Sequence, residues 1–358
     1  MRRSIMTTPC AVVILTCIAA AVFGSGSEYD VCKTRSLKAS FTFGGRDVFC
    51  SPTAIRRDTA GRIYILDSLN HRIVVCNEQG EVIDHLGMIG SGPGEFLEPM
   101  DLDIGPSSRL YVADTGNNRI QILDSCGAPI CIIPVGHPIR ALSVAPDSTL
   151  YAVSSPSIGR HLIDVYDDGG NRLGSFGSFL IDQWRRPYIS DALNRASVNV
   201  SPSGEILVGR WTIPQIARYD SCGNLLSSIS VRGPEVHDNR HWFFSMAQNR
   251  ICADDRLQIT DPTVQDFIND VIAACCDGQP HGVIQLADVD SYGGRIYGLV
   301  RGVLYEYDSS GSFLHRYALL RDTGEPALIH RIWIDTDGTL FGLDMMHTYR
   351  CYIYHIPA

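Results

Sequence analysis

The chain contains 358 residues, of which 45% are hydrophobic and 19% are charged. This composition is too apolar for a disordered protein and predicts a large folded domain. The formal net charge of −9 disfavours nucleic acid and anionic membrane surfaces as partners. Glycine and proline occur near their ordinary frequencies, which excludes collagen-like and low-complexity chains.

Residues 1–26 have the features of a secretory signal peptide. Arg2 and Arg3 form a basic start, an apolar run follows from Cys10 to Phe23, and small residues at 24–26 suit cleavage. The apolar run is short for a membrane-spanning helix. We therefore expect residues 27–358 to be secreted or periplasmic, with no membrane insertion after signal cleavage. An uncleaved membrane anchor is the alternative.

If the protein is exported, some of its twelve cysteines can form disulfides, because disulfides form in oxidising compartments. Loss of Cys10 and Cys17 with the signal peptide leaves an even number, which suits a protein with disulfides. The sequence has no C-x-x-C pair, so zinc-ribbon and thioredoxin-like readings fail. The spacing leaves the pairing open.

Two segments, residues 49–80 and 96–127, are copies of one repeat and align without a gap. Self-similarity at this period indicates a repeat architecture. The matched pairs are Phe49 and Phe96, Pro52 and Pro99, Arg62 and Arg109, Tyr64 and Tyr111, Asp67 and Asp114, Asn70 and Asn117, Arg72 and Arg119, Ile73 and Ile120, and Gly80 and Gly127.

A turn of Asn or Asp followed three residues later by Gly recurs along the chain. A side-chain oxygen at the first position and a positive φ at the glycine are typical of a hairpin. Apolar strands precede and follow each turn, so the repeat unit is predicted to be a four-stranded meander. The turns are Asn77/Gly80, Asp124/Gly127, Asp167/Gly170, Asp220/Gly223 and Asp308/Gly311.

Four short strands recurring every 40 to 50 residues predict an all-β protein, a six-bladed β-propeller of four-stranded antiparallel blades. The sixth repeat runs out of chain after its third strand, whereas residues 39–43 form an extended segment with no blade before them. We expect this N-terminal strand to close the last blade. The blade cores are predicted at Tyr64, Tyr111, Tyr151, Leu207, Tyr297 and Phe341.

The order of Pro, G-x-I-Y-V-A-D, N-x-R-I and a Gly-ended turn at 52–80 and 99–127 resembles the NHL-repeat family of six-bladed propellers. The resemblance is to a bacterial-type secreted NHL-like protein. Blades three to six keep only the strand pattern and the turn. The resemblance implies the propeller fold and leaves the function to be argued from specific sites.

Residues 233–283 depart from the repeat and are predicted to be an insertion. Asp261 can cap a helix that has Pro262 at its first position, and apolar residues from Val264 to Cys275 recur at helical spacing. We expect this helix to pack on a propeller face. A degenerate seventh blade in the same interval is the alternative.

Asp67, Asn70 and Arg72, with their counterparts in the second repeat, could be read as catalytic. Their duplication at one offset indicates a structural role instead, since such residues satisfy backbone amides in tight loops. The counterparts are Asp114, Asn117 and Arg119. For Asp335, Asp337 and Gly338 a hairpin turn is preferred to a calcium loop, because the other ligands of that loop pattern are missing.

An enzymatic alternative comes from two propeller groups with related folds. Gluconolactonase-like propellers use a channel-bound divalent cation, and peptide-amidating lyases hold zinc with channel histidines. His137 and His330 precede inner strands, but a third histidine at an equivalent place is not evident in the sequence. We therefore expect no catalytic residues, metal or cofactor. The alternative is a metal-dependent lactonase or lyase, which would bind calcium or zinc.

Aligning the starts of the inner strands brings basic residues to one end of the channel. The predicted ligand site consists of Arg140, Arg195, His330, Arg331 and Asp101. Arginine holds carboxylates or phosphates through two parallel hydrogen bonds. The alternative is that Arg140 and Arg331 pair with Asp101 and other acids across the mouth. Trp184, Tyr188 and Trp211 could form the rim.

These features predict a secreted, non-catalytic binding or scaffold propeller. Its expected ligand is a protein, peptide or glycan with an anionic group at the channel mouth, and a cell-surface sensor or assembly subunit is a further possibility.

Overall fold

The structure is a computed structural model that describes residues 34–154, 161–179, 194–211, 215–233, 286–300, 302–345 and 347–357. Within these ranges the chain forms 25 strands, numbered here in chain order, and no long helix. None of the helical turns in these ranges has the length and apolarity needed to cross a membrane. The strands form six sheets, which confirms the predicted all-β six-bladed propeller.

The first two strands, β1 (Thr34–Lys38) and β2 (Phe41–Gly44), precede the blades. Blades one to three contain β3 (Pro52–Arg57), β4 (Ile63–Asp67), β5 (Arg72–Cys76), β6 (Val82–Leu86), β7 (Asp101–Ile104), β8 (Leu110–Asp114), β9 (Arg119–Leu123), β10 (Pro129–Pro134), β11 (Ile139–Val144), β12 (Leu150–Ser154), β13 (Ile163–Tyr166) and β14 (Arg172–Phe176).

Blades four to six contain β15 (Ala196–Val200), β16 (Ile206–Arg210), β17 (Gln215–Tyr219), β18 (Leu225–Ser230), β19 (Leu286–Tyr292), β20 (Arg295–Val300), β21 (Val303–Tyr307), β22 (Phe313–Leu320), β23 (Arg331–Ile334), β24 (Thr339–Leu343) and β25 (Arg350–His355). Short 3-10 turns at Ser68–Asn70, Pro106–Ser108 and Thr115–Asn117 connect some strands.

Burial within each blade follows from its position between two neighbours. In blade one every residue of the second strand β4 is buried, whereas most of the outer strand β6 is exposed. The predicted core residues all lie on such second strands. Six hydrophobic clusters fill the interfaces between neighbouring blades, so the core is a ring of contacts rather than one centre.

The predicted hairpin turns form between the third and fourth strands. In blade one, the Asn77 side-chain oxygen accepts hydrogen bonds from the amides of Gln79 and Glu81, at 3.0 and 2.9 Å. Gly80 has a φ of +75°, and a Cβ atom there would lie 2.5 Å from the ring of Phe43. Glycine is therefore needed both for the turn and for close packing against β2.

The N-terminal strand closes the ring, as predicted. Strand β2 is the outer strand of blade six and pairs antiparallel with β25, so that Phe41 lies opposite Ile353. Strand β1 was not predicted, because its sequence TRSLK carries little apolar alternation. It adds a fifth, parallel strand to blade five along β22. The N-terminal segment thus joins two blades.

The innermost strands β3, β7, β11, β15, β19 and β23 lie side by side around the central channel. Because β15 of blade four lies directly against β19 of blade five, no further blade fits into the ring between them. This excludes the seventh-blade alternative for the ring. The helix predicted from Asp261 lies outside the described residues.

Candidate functional site

Four aspartates on inner strands β7 and β19 link neighbouring blades. On β7, Asp101 accepts a hydrogen bond from the Leu142 amide at 3.0 Å, and Asp103 accepts one from the Val144 amide at 2.8 Å. The same arrangement joins β19 to β23, where Asp288 and Asp290 accept from the amides of Ile332 and Ile334 at 3.1 and 2.6 Å. These carboxylates therefore hold the ring together.

Two arginines offset part of the negative charge in the channel. The Arg56 Nε lies 2.7 Å from Asp103 Oδ1, and the Arg331 Nη1 lies 3.6 Å from Asp288 Oδ1. Burial raises the pKa of both Asp101 and Asp288, and it raises the pKa of Asp290 to about 7. The channel interior is thus a buried network whose groups bond mainly to one another.

One end of the channel opens into a small depression that encloses about 40 Å³, which we call the mouth pocket. It lies where the innermost strands begin, so residues at or just before the starts of β11, β15 and β23 converge there. Apolar side chains and arginines share its wall. The lining residues are Met100, Arg140, Val153, Ser154, Asn194, Arg195, Ala196, Trp211 and Arg331.

Arg331 and Trp211 form the floor of the mouth pocket. The Arg331 guanidinium carbon lies 5.6 Å from the centre of the Trp211 ring, a cation–π contact. Arg331 is only 6% exposed, and its Nε, like the Trp211 Nε1, is buried without a hydrogen-bond partner among the described residues. Buried donors of this kind are costly when no acceptor satisfies them.

The mouth pocket contains three of the five residues predicted as the ligand site: Arg140, Arg195 and Arg331. Asp101 lies below, in the channel wall, where the Arg331 charge opposes the burial-driven rise of its pKa. The Arg331–Asp288 pair is a pairing of the kind that the sequence left as an alternative for Arg331. Trp211 lies in the pocket, whereas Trp184 and Tyr188 lie outside the described residues.

His330 does not line the pocket, although Arg331 beside it does. Its Nδ1 lies 3.7 Å from Asp344 Oδ1, and its ring stacks on that of His347 at 5.9 Å. Adjacent residues at a strand start project to opposite sides, which explains the separation. Burial lowers the pKa of His330 and outweighs the opposing effect of Asp344.

His137 also bonds to a carboxylate. Its Nε2 lies 3.2 Å from Asp164 Oδ2, and the hydroxyl of Ser154 donates to the same oxygen at 2.5 Å. Burial alone would raise the pKa of Asp164, but hydrogen bonds from His137, Ser154 and Arg172 outweigh it and lower the pKa to about 2.

The Ser154 hydroxyl is not activated by this arrangement. In a Ser-His-Asp triad the histidine lies between the other two groups, whereas here the weakly basic carboxylate does. Among the described residues, no group of three or more His, Cys, Asp or Glu side chains is arranged to hold a metal ion.

The duplicated loop residues bind backbone and one another. Asp67 accepts from the amides of Cys50 and Ser51, both at 2.9 Å, and from Asn70 at 2.7 Å. Arg72 lies 3.4 Å from Asp67. These contacts fit the predicted structural role.

The second copy is more tightly bound. Asp114 accepts from the Leu97 amide at 2.8 Å, from Asn117 at 2.9 Å and from Arg119 at 2.6 Å. Gln121, which has no counterpart in the first repeat, adds a bond at 3.1 Å.

The Asp335 segment forms the hairpin turn between β23 and β24. The Gly338 amide donates to the Asp335 carbonyl at 2.9 Å, and Gly338 has a φ of +81°. Arg57 of blade one bridges the carboxylates of Asp335 and Asp337. The two carboxylates thus link blade six to blade one.

Comparison with known proteins agrees with this geometry. Residues 52–127, which contain blade one and the first three strands of blade two, match the DUF5128 family model, described as a 6-bladed beta-propeller. A stretch of 79 residues is 33% identical to the human NHL repeat-containing protein 3. The protein is a six-bladed β-propeller whose first repeats are similar to NHL repeats.

The similarity to curated relatives is local. The human match covers 21% of this chain and 23% of the relative. The bovine NHL repeat-containing protein 2 is 34% identical over 94 residues, covering 24% of this chain and 13% of that protein. The chain therefore aligns with less than a quarter of the length of either relative.

Solved structures extend the likeness to the whole propeller. A protein from Bacteroides fragilis has a TM-score of 0.56 at 11% identity, covering 90% of this chain and 95% of that one. Virginiamycin B lyase from Staphylococcus aureus has a TM-score of 0.53 at 11% identity, covering 88% and 99%. At this identity the likeness shows the fold alone.

Proposed function

We propose that this protein is a secreted, non-catalytic binding propeller that engages a protein, peptide or glycan through an anionic group in the mouth pocket. The observation that carries the proposal is the pair of buried, unsatisfied donors on Arg331 and Trp211. An anion that accepts hydrogen bonds from these donors would offset the free-energy cost of burying unpaired polar groups.

Charge and family context support the same proposal. Arg140 and Arg195 add positive charge to the pocket of a chain with a formal net charge of −9, so an anion would be drawn to this end of the channel. Propellers of the NHL type are commonly involved in protein binding. No observation among the described residues favours the metal-dependent lactonase or lyase alternative.

Export is part of the proposal and rests on the features of residues 1–26. Disulfide formation is likewise proposed from export and the number of cysteines. The described cysteines form no disulfide with one another in the structure; they are Cys50, Cys76, Cys126, Cys131, Cys222 and Cys351.

Binding to peptide and glycan arrays tests the proposal with secreted protein spanning residues 27–358. We expect Arg140→Ala with Arg331→Ala to abolish the binding that the wild-type protein shows. Because Arg331 pairs with buried Asp288, a second variant, Arg140→Ala with Arg195→Ala, leaves that pair intact.

Arg109→Ala is the matched control. Arg109 lies in the turn that leads into β8, at the opposite end of the blade from the mouth pocket, where it pairs with Asp168. Its removal should leave binding unchanged. Folded mouth variants that keep full binding would exclude the mouth pocket as the site.

A further inference from the structure

The mouth pocket combines features that a simple anion would not use. Its arginines and the Trp211 N–H offer donors, but Met100, Val153 and Ala196 line the same wall. A phosphate or sulfate would leave this apolar surface without a partner. A ligand that matches the whole pocket carries a negative group next to an apolar one.

The size of the pocket restricts how a macromolecule can enter it. The space enclosed by the pocket is about 40 Å³, which leaves room for one small end group and not for a folded surface or a chain passing through. The middle of an extended chain needs a groove with two open ends. A chain terminus needs only one opening, as the end of a propeller channel provides.

We infer that the mouth pocket binds the C-terminal residue of a partner polypeptide, with the free α-carboxylate on the arginines and an apolar last side chain against Met100 and Val153. This inference rests on the proposed function and names its ligand class. A carboxylate presents about four acceptor sites on two oxygens, so it can accept from more than one of the donors whose residues line the pocket.

Burial makes the Arg331 contact the selective one. The Arg331 side chain is fixed between Asp288 and the Trp211 ring, so little rotational freedom is lost when a carboxylate arrives. Arg195, which is exposed, is positioned to attract the terminus from solvent. An amidated terminus lacks the charge and offers one acceptor oxygen in place of two, so it should bind weakly.

The test uses fluorescein-labelled pentapeptides, four glycines followed by leucine, with either a free or an amidated C-terminus. Fluorescence polarisation should show the free acid binding at least about tenfold more tightly than the amide, as expected for one charge-assisted contact. Replacing the last leucine by glycine should weaken binding of the free acid, because the apolar contact is lost. Arg331→Gln should remove most of the preference for acid over amide.

Controls separate this inference from the proposed function. The double variant Arg140→Ala with Arg195→Ala keeps the buried Arg331–Asp288 pair. It should weaken binding of the free-acid peptide even if Arg331→Gln does not fold, whereas Arg109→Ala should bind this peptide normally.

Inorganic phosphate and D-glucuronate serve as competing anions. If either anion binds in an Arg331-dependent way while acid and amide peptides bind equally, the terminus inference is overturned and the anion pocket stands. If no probe binds, or all variants bind alike, both are overturned.

Discussion

The two copies of the repeat loop allow one structural claim to be tested with an internal comparison. Asp67 and Asp114 are both fully buried, but their arginine partners differ. The Arg119 side chain is 11% exposed and lies 2.6 Å from Asp114. The Arg72 side chain is 28% exposed and lies 3.4 Å from Asp67. Removing Asp114 should therefore cost more than removing Asp67.

The size of each effect follows from the groups that would lose their acceptor. In Asp67→Ala, Arg72 can turn to solvent, leaving mainly two amides unsatisfied, so we expect a loss of about 1–3 kcal/mol. In Asp114→Ala, a buried arginine loses its carboxylate, which typically costs about 3–5 kcal/mol. Three carbonyls still accept from Arg119, at 2.7, 2.8 and 2.9 Å, and place the loss near the lower value.

Urea unfolding of the wild type, Asp67→Ala and Asp114→Ala gives the two losses directly. Peptide binding by each folded variant should match the wild type, because neither aspartate lines the mouth pocket. Equal losses, or a larger loss for Asp67→Ala, would refute the argument from burial and distance. Loss of binding with an unchanged unfolding midpoint would refute the structural role of these aspartates.

Two further predictions concern the ring and the channel. A variant that starts at Gly44 lacks β1 and most of β2, which exposes the edge of β25. Its thermal unfolding midpoint should therefore be lower than that of the longer chain. Equal midpoints would contradict closure of the ring by β2. Burial raises the pKa of Asp290 in the folded state to about 7, far above the unfolded value near 3.8. Between these two values the folded state binds one more proton than the unfolded state, so the free energy of unfolding should rise as the pH falls from 8 to 5. Asp290→Asn should flatten this dependence, and parallel pH profiles for the two proteins would rule it out.

The sequence was sufficient for the blades because their information is local and repeated. A buried strand such as β4 and a turn such as that at Asn77 have the same pattern in blade after blade, and each repeat reinforces the reading of the others. The closing strand β2 could be inferred because the last repeat lacked one strand. Strand β1 could not, since its pairing with β22 depends on backbone hydrogen bonds that leave no apolar pattern.

The site was less predictable, because its residues come from several blades. The shared register of the inner strands was enough to bring Arg140 and Arg331 to one end of the channel. The prediction placed both His330 and Arg331 at the mouth, although neighbouring residues at a strand start project to opposite sides and only Arg331 lines the pocket. Val153 and Asn194 carry no sequence signal, because apolar and amide residues at loop boundaries are common.

The contrast between the channel and its mouth is the reason for placing the ligand at the mouth. Around the channel, polar groups of neighbouring inner strands bond to one another: Arg56 to Asp103, Ser143 to the Val200 amide at 3.1 Å, and Asn199 to Ser291 at 3.3 Å. A ligand entering there would have to replace bonds that hold the blades together. At the mouth, the Arg331 Nε and the Trp211 N–H have no hydrogen bond to another described residue, so an acceptor binding there would gain contacts without replacing a described bond of these two groups.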